Sequence, residues 1–155
     1  MDFSYSEVQQ MLQDSVKKFV SKNYDFDTRS KIIESDSGYS EENWKLFAEL
    51  GWLTVPFSEE DGGLGGSAVD LMVVMEEFGK ANLVEPYLPS VVLCGCLISE
   101  LATGEVKEQM LGKLVGGDLQ LALAASETGS RFNSSKVATT AKSNGNSIVI
   151  NGRKI

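Results

Sequence analysis

The chain has 155 residues, enough for one ordinary domain or for a domain and part of a second. Hydrophobic residues make up 42% of it and charged residues 23%, a composition typical of a folded globular protein. Its formal net charge of −8 argues against nucleic acid or an anionic membrane as the main partner, since both need a basic surface. No apolar run reaches the roughly 18 residues of a membrane span, and no signal-peptide pattern is present, so we expect a cytoplasmic protein.

The side chains that form most zinc sites are scarce in this sequence. There is no histidine, and the two cysteines, Cys94 and Cys96, stand two apart in an apolar segment. A structural zinc site usually needs two such pairs, so we expect no metal site and two reduced thiols in the core. Without histidine, the chain also lacks the base of Ser-His and Cys-His nucleophile systems.

Hydrophobic residues at helical spacing predict a helix near the start of the chain. Its apolar positions lie one, three or four residues apart: Val8, Met11, Leu12, Val16, Phe19 and Val20. Ser6, followed three residues later by Gln9, resembles a capping box at the start of this helix. A second, shorter helix is predicted over residues 28–34.

A third helix is predicted to begin after Ser40, a candidate N-cap, and to end before Gly51, where a left-handed residue would complete the C-cap. The aromatic residues of this region are expected in the core rather than in a stacking platform for a ligand: Trp44, Phe47 and Trp52. Residues 52–55 are predicted to be extended, because Pro56 disfavours a helix at the residue before it.

Glycine dominates segment 58–66, which is predicted to be a loop. Residues 63–68 formally fit G-x-G-x-x-A, the fingerprint of a dinucleotide-binding turn. That fingerprint requires a buried strand that runs directly into the glycines, and here Pro56 and an acidic stretch come before them. We therefore interpret the segment as a connection between two packed helices.

The helix after this loop is predicted to begin after Ser67, with Asp70 placed to complete the cap, and to end near Gly79. It carries Glu76 and Glu77, whose side chains should point about 100° apart. A solvated face explains these two carboxylates better than a catalytic pair does.

Two further helices are predicted, over residues 88–101 and 105–115. Together with the earlier elements they give a helical domain over residues 1–117. From residue 118 onward the pattern changes: residues 119–125 are predicted to be a buried strand.

Two more strands are predicted over residues 137–142 and 147–150, around an Asn144-Gly145 hairpin turn. Two or three strands with open edges are marginal alone, so we expect residues 118–155 to be the incomplete start of a β-domain.

The segment from Ala124 to Arg131 changes abruptly from apolar residues to hydroxyls, a carboxylate, glycine and arginine. Such a strand end can present backbone N–H groups and hydroxyls to the carbonyls or phosphates of a ligand. It can equally be a capped β-turn in which Glu127 and Arg131 form a weak surface pair. The local chemistry leaves both interpretations open.

In their order and spacing, five segments of the chain resemble the acyl-CoA dehydrogenase family. The two more specific ones are Trp44-x-x-Phe47-Ala48-Glu49-Leu50-Gly51-Trp52-Leu53-x-Val55-Pro56 and Glu60-Asp61-Gly62-Gly63-Leu64-Gly65-Gly66-Ser67. The others are Met75 to Ala81, Ala124 to Glu127, and Val149 to Lys154. The resemblance covers nearly the whole chain.

This resemblance implies a helical N-terminal domain, a middle β-domain and a C-terminal helical bundle. Family members hold FAD between the last two, commonly as homotetramers or related dimers. They oxidise an acyl-CoA to its trans-2-enoyl form: a glutamate removes the α-proton and the flavin N5 receives the β-hydrogen as hydride. The implied partners are an acyl-CoA substrate, an electron-transfer flavoprotein or similar acceptor, and further copies or a larger flavoprotein subunit.

Four residues of this chain take flavin-site roles by the resemblance. Leu123, Ala125 and Ser126 would lie against the flavin, with Ser126 donating from its hydroxyl or backbone, and Ser130 matches a family serine near the flavin and the pantetheine arm. Fewer residues than usual separate Glu127 from this serine, and an arginine replaces the usual aspartate after it. That shorter form, Arg131-Phe132-Asn133, resembles the branch that includes the small subunit of pimeloyl-CoA dehydrogenase; Arg131 as a phosphate contact is a hypothesis.

No residue of this chain matches the catalytic glutamate of the family, which lies much later in the sequence. We therefore expect the N-terminal part of an FAD-dependent enzyme of fatty acid metabolism, one that is inactive as this isolated chain. A non-catalytic subunit or interaction module that packs on a larger flavoprotein is the alternative. A prematurely terminated reading frame without function is a third hypothesis.

Overall fold

The computed structural model describes residues 4–131 and 133–155 of the chain. These residues form a mainly helical structure followed by one two-stranded antiparallel sheet, which confirms the predicted fold class. In chain order the regular elements are α1 (Glu7–Asn23), α2 (Phe26–Ile33), α3 (Glu41–Glu49), α4 (Ala68–Lys80), α5 (Cys96–Leu101), α6 (Gly104–Val115), β1 (Thr140–Asn144) and β2 (Ser147–Asn151).

The chain divides into two compact units. The first ends at Ala122 and contains the helices, and the second is Leu123–Ile155 and contains the hairpin. The family-based division at residue 117 stays a prediction. Within the described part of the chain, none of the helices has both the length and the apolar character that crossing a membrane requires.

Serine side chains cap the N-termini of three helices at the predicted positions. The three predicted serine caps are all formed: Ser6, Ser40 and Ser67. At the first, the Gln9 N–H donates to the Ser6 hydroxyl (3.2 Å) and the Ser6 N–H donates back to the Gln9 side chain (3.0 Å), which completes a capping box. Helix α2 begins two residues earlier than predicted, because Asp25 accepts from the Thr28 N–H at 2.7 Å and caps it.

The predicted extended segment 52–55 is wrong, because Trp52–Thr54 is a turn of 3₁₀ helix. Gly51 has a φ of +75°, as a left-handed C-cap requires, and the 3₁₀ turn begins at the next residue. Trp52, Leu53 and Val55 are all buried. A strand would turn alternate side chains outward, whereas the turn lets neighbouring apolar side chains face the core together.

The glycine-rich loop folds back on the segment before it and uses its own N–H groups in doing so. Four consecutive N–H groups, from Gly63 to Gly66, donate to the carbonyls of Ser58, Thr54, Phe57 and Val55. A phosphate-binding turn would leave such donors free for its ligand. The interpretation as a connection between packed helices, rather than as a dinucleotide site, agrees with this geometry.

An aromatic cluster forms the centre of the helical unit, and the expectation that these residues are core is confirmed. Phe47 contacts Phe19, Trp52 and Phe78 with ring centroids 5.1–5.3 Å apart. The Tyr87 hydroxyl, also buried, donates to the Trp52 carbonyl at 2.8 Å. Edge-to-face and stacked pairs of this kind add to the free energy gained from burying their area.

The predicted helix over residues 88–101 is present but changes type along its length. Leu88–Gly95 is a π-helix that passes directly into α5. A Cβ on Gly95 would lie 2.5 Å from the ring of Phe57, so only glycine allows this ring to pack against the helix. Cys94 is buried, Cys96 is partly buried, and both are free thiols.

Two buried carboxylates bind the helices of this unit to one another, and one of them corrects the sequence interpretation. Glu77 is not solvated: only 4% of it is exposed, and it accepts from Gln13 on α1 (3.1 Å) and from Lys80 (2.7 Å). Glu85 is equally buried and accepts from the Tyr24 hydroxyl (3.0 Å) and the Asn43 amide (2.8 Å).

The predicted strand over residues 119–125 is not formed. This segment has no regular secondary structure and no strand beside it, and residues 122–126 are exposed. A strand needs a neighbour to pair its N–H and C=O groups, and the ladder between β1 and β2 is the only one in residues 4–131 and 133–155. Instead, the Ser90 hydroxyl accepts from the Leu121 N–H and donates to its carbonyl.

The predicted hairpin is confirmed, with its turn one residue later than expected. Asn144 pairs with Ser147, so the two-residue loop is Gly145-Asn146, and Gly145 has a φ of +62°. Ile148 and Ile150 lie on one face of the hairpin and are each 70% exposed.

Replacement of Gly63 by alanine should destabilise the helical unit by about 1–3 kcal/mol, because the new Cβ would lie 2.1 Å from the Phe57 carbonyl oxygen. Gly79→Ala is the matched control: it has open space and a helical position, so it should stabilise by about 0.5–1 kcal/mol. Urea unfolding followed by circular dichroism measures both. Equal stability of the two variants would contradict the close approach at Gly63.

Tyr24→Phe should lower the free energy of unfolding by about 1–3 kcal/mol, because the Val84 N–H and one Glu85 oxygen then lose their buried partner. Thermal unfolding of the variant measures the loss. Tyr39→Phe serves as the control, since Tyr39 is only partly buried. A Tyr24→Phe midpoint as high as that of the control would show that the hydroxyl is dispensable.

Candidate functional site

Three of the four predicted flavin-site residues lie together on an exposed run of backbone at the start of the second unit. Leu123 is 48% exposed, and Ala125 and Ser126 are exposed as well. The Ala125 N–H donates to the Leu123 carbonyl (3.1 Å), and the Ser126 carbonyl accepts from the Ile155 N–H (3.0 Å). Neither the hydroxyl nor the N–H of Ser126 has a partner among residues 4–131 and 133–155, so two donors are available to a ligand.

Ser130 has a different environment from the other three. It is only 8% exposed, and its hydroxyl accepts from the Glu127 N–H (3.1 Å) and donates to the Glu127 carbonyl (2.8 Å). A hydroxyl has one donor and two acceptor positions, so a single acceptor position remains. In this geometry Ser130 closes the turn that follows Ser126; its contact with a flavin or a pantetheine arm stays a prediction.

The Glu127 carboxylate is the hydrogen-bonding centre of the second unit, a role that the sequence did not reveal. One oxygen, Oε2, accepts from the Ala138 N–H at 2.6 Å. The other, Oε1, accepts from the Thr139 hydroxyl (2.6 Å), the Thr139 N–H (3.1 Å) and the Lys154 ammonium (2.9 Å). These donors, with the Thr139 hydroxyl contributing most, lower the pKa of Glu127 from 4.5 to about 2.

The prediction of a weak surface pair between Glu127 and Arg131 is therefore wrong. Glu127 is 7% exposed and pairs with Lys154, the last residue of the Val149 to Lys154 segment that resembles the family. Arg131 instead adopts a left-handed conformation, with a φ of +47°. The pairing spans 27 residues, so no local pattern could have shown it.

Close packing between Gly152 and Thr139 holds this centre in place. A Cβ on Gly152 would lie 2.2 Å from the Thr139 hydroxyl oxygen. The glycine therefore lets the segment after β2 come close enough for Lys154 and Thr139 to reach the same carboxylate oxygen.

A surface cavity of about 580 Å³ is lined by residues of this turn and of the segment after it: Gly129, Ser130, Arg131, Asn133 and Lys136. Two of these side chains are cationic, which suits an anion. The phosphate contact of Arg131 stays a prediction, and Phe132, part of the Arg131-Phe132-Asn133 resemblance, lies outside the described residues. Among the residues described, no group of three or more His, Cys, Asp or Glu side chains is arranged to hold a metal.

The contact of this exposed run with a flavin stays a prediction, and its hydrogen-bonding groups can be compared with those of the ring. The pyrimidine part of a flavin carries carbonyl oxygens and ring nitrogens that accept hydrogen bonds, and Ser126 offers two donors side by side. Leu123 and Ala125 add small apolar contacts next to them. None of these three side chains is an acid or a base.

Acidification should loosen the second unit through Glu127. Because the folded-state pKa is depressed from 4.5 to about 2, the stabilisation is complete above about pH 4.5 and is lost as the pH falls towards 2. The amide signals of Ala138 and Thr139, followed by NMR between pH 6 and 2, should therefore begin to move only well below pH 4.5. In Glu127→Gln this titration should vanish. A midpoint near 4.5 would show a solvated carboxylate.

Comparison with known proteins supports the family resemblance. Residues 6–118 match the family model described as acyl-CoA dehydrogenase, N-terminal domain. The chain is 30% identical over 156 residues to the probable acyl-CoA dehydrogenase YngJ of Bacillus subtilis, covering 99% of this chain and 40% of that protein. It is 31% identical over 157 residues to the short-chain-specific acyl-CoA dehydrogenase of Clostridium acetobutylicum, covering 100% of this chain and 41% of that protein.

Among solved structures, PigA with FAD and proline is similar to this chain with a TM-score of 0.87 at 28% identity, covering 100% of this chain and 41% of that one. The chain thus spans about 40% of the length of the relatives it matches. Since the family model covers well over half of its residues, the chain belongs to the acyl-CoA dehydrogenase family and carries the N-terminal domain of that family.

Proposed function

We propose that this chain supplies the N-terminal helical domain and the first β-hairpin of an FAD-dependent acyl-CoA dehydrogenase. The observation that carries the proposal is the family match over residues 6–118, continued by relatives that align with nearly the whole chain. When bound, FAD would accept the hydride that leaves the acyl-CoA. The contribution of this chain would be to hold one edge of the flavin through Ser126, Leu123 and Ala125.

The isolated chain should not dehydrogenate acyl-CoA by itself. Removal of the α-proton needs a carboxylate that is free to accept it. The buried carboxylates of this chain are already engaged: Glu77 with Gln13 and Lys80, Glu85 with Tyr24 and Asn43, and Glu127 with four donors. A chain of this kind acts in orientation rather than in proton transfer.

The partners follow from the same proposal. The substrate would be an acyl-CoA of fatty acid metabolism, and the electrons would pass to an electron-transfer flavoprotein or a similar acceptor. The chain would work inside a homo-oligomer or beside a larger flavoprotein subunit. The two cations Arg131 and Lys136 would then face a phosphate of the coenzyme or the cofactor.

A non-catalytic subunit is the second candidate, and the exposed hairpin favours it. Ile148 and Ile150, on one face, are each 70% exposed, and the same unit begins with the exposed segment 123–126, which has no neighbouring strand. Exposed apolar surface next to unpaired backbone is typical of an interface with another polypeptide. Co-purification with a longer flavoprotein that loses this chain on Ile150→Glu would support this candidate.

Titration of the ¹⁵N-labelled chain with FAD tests the flavin role directly, because NMR detects even millimolar binding. The amide signals of Leu123, Ala125 and Ser126 should move together and saturate. Ser126→Ala should weaken binding about fivefold through the loss of one hydrogen bond, whereas Ser143→Ala, on exposed β1, should bind like the wild type. No movement at 1 mM FAD, or movement confined to the helical unit, would contradict the flavin role.

A second assay tests the expected lack of turnover. The purified chain, FAD and a series of saturated acyl-CoA thioesters of increasing length are incubated with a dye that accepts electrons. Bleaching at the background rate is the expected result, and an intact family enzyme serves as the positive control. Turnover above background would show that the chain contains its own base.

A further inference from the structure

The peptide group between Ser126 and Glu127 is held on both of its sides. Its carbonyl, from Ser126, accepts from the Ile155 N–H (3.0 Å), and its N–H, from Glu127, donates to the Ser130 hydroxyl (3.1 Å). Both groups lie in one plane, so two opposed hydrogen bonds fix the orientation of that plane. The direction in which Ser126 projects its own N–H and hydroxyl depends on this plane.

The hydrogen bonds of the Glu127 side chain also hold the Ser126-Glu127 peptide group. Its carboxylate is tied to Ala138 and Thr139, which lead into β1, and to Lys154, which follows β2. Lys154 is the neighbour of Ile155, so residues 126 and 127 contact 155 and 154 as two adjacent pairs. Loss of the Lys154 pair would free the Ile155 N–H from the Ser126 carbonyl.

An ionised carboxylate suits this position better than a neutral amide does. All four groups around it are donors, and Oε1 alone receives three of them. A glutamine of the same shape would point its NH₂ group either at the Ala138 N–H or towards Thr139 and Lys154, where only the Thr139 hydroxyl can turn to accept a hydrogen bond. The arrangement therefore depends on the charge of this residue and not on its volume.

We propose that Glu127 is a positioning residue of the flavin site, which holds the Ser126 N–H and hydroxyl in the direction of the flavin's carbonyl edge. This inference rests on the proposed flavin role of Ser126. Glu127 itself touches neither substrate nor cofactor: it acts through the Ser126-Glu127 peptide and through the contact of Lys154 and Ile155 with that peptide.

Four variants of the full chain test the proposal: Glu127→Gln, Lys154→Met, and the controls Glu108→Gln and Lys142→Met, both at exposed positions. Each is titrated with FAD, and the Ser126 and Ile155 amide signals are recorded without FAD. Glu127→Gln should shift both signals and weaken FAD binding about tenfold. Lys154→Met should also shift both signals and should weaken FAD binding about threefold. In each case the cause is the loss of charged hydrogen bonds. The controls should match the wild type.

Cross-strand contacts between Ala141 and Ile150 show whether the hairpin survives in each variant. With these contacts intact, unchanged Ser126 signals and wild-type FAD affinity in Glu127→Gln would overturn the positioning role alone. If Glu127→Gln loses the hairpin, the milder Lys154→Met decides by the same two measurements. Absence of FAD binding by the wild type would instead overturn the proposed function, and this inference with it.

Discussion

Some backbone N–H groups of this chain have no partner within a helix or a sheet. Polar side chains and loop carbonyls accept hydrogen bonds from them. An unpaired buried N–H costs about as much free energy as a lost hydrogen bond, so each one needs an acceptor. In the helical unit, serine and aspartate side chains accept from the first turns of the helices, and the glycine loop donates to carbonyls of the segment before it. In the second unit the sheet has two strands, and the carboxylate of Glu127 accepts from the backbone just before them.

Three buried carboxylates illustrate this use of charge. Glu77 joins α4 to α1, and Glu85 joins the segment after α4 to the end of α1 and to α3. Glu127 joins three separated pieces of the second unit. Two of them have an ammonium partner, while Glu85 is held by a hydroxyl and an amide. Each of these three carboxylates thus holds separate segments together.

This division of labour agrees with membership of a flavin-dependent family. A flavin carries out the redox chemistry itself, and a protein contributes alignment and hydrogen bonds to the ring. The donors of Ser126 are exposed, whereas the neighbouring polar groups are paired with one another. The Ser130 hydroxyl accepts from the Glu127 N–H, and the Glu127 carboxylate accepts from the Thr139 hydroxyl.

The sequence by itself determined the features that depend on neighbouring residues. The serine caps, the left-handed Gly51, the aromatic core and the hairpin turn each arise within a few residues, and motif order was enough to indicate the family. The tertiary structure alone decided the burial of Glu77, the turn at Trp52, the absence of a strand over residues 119–125 and the Glu127 centre. Each of these depends on partners far along the chain, such as Gln13 for Glu77 and Lys154 for Glu127, or on the presence of a neighbouring strand. Hydrogen bonds between distant segments form only where folding brings the segments together, and local spacing carries no record of that distance.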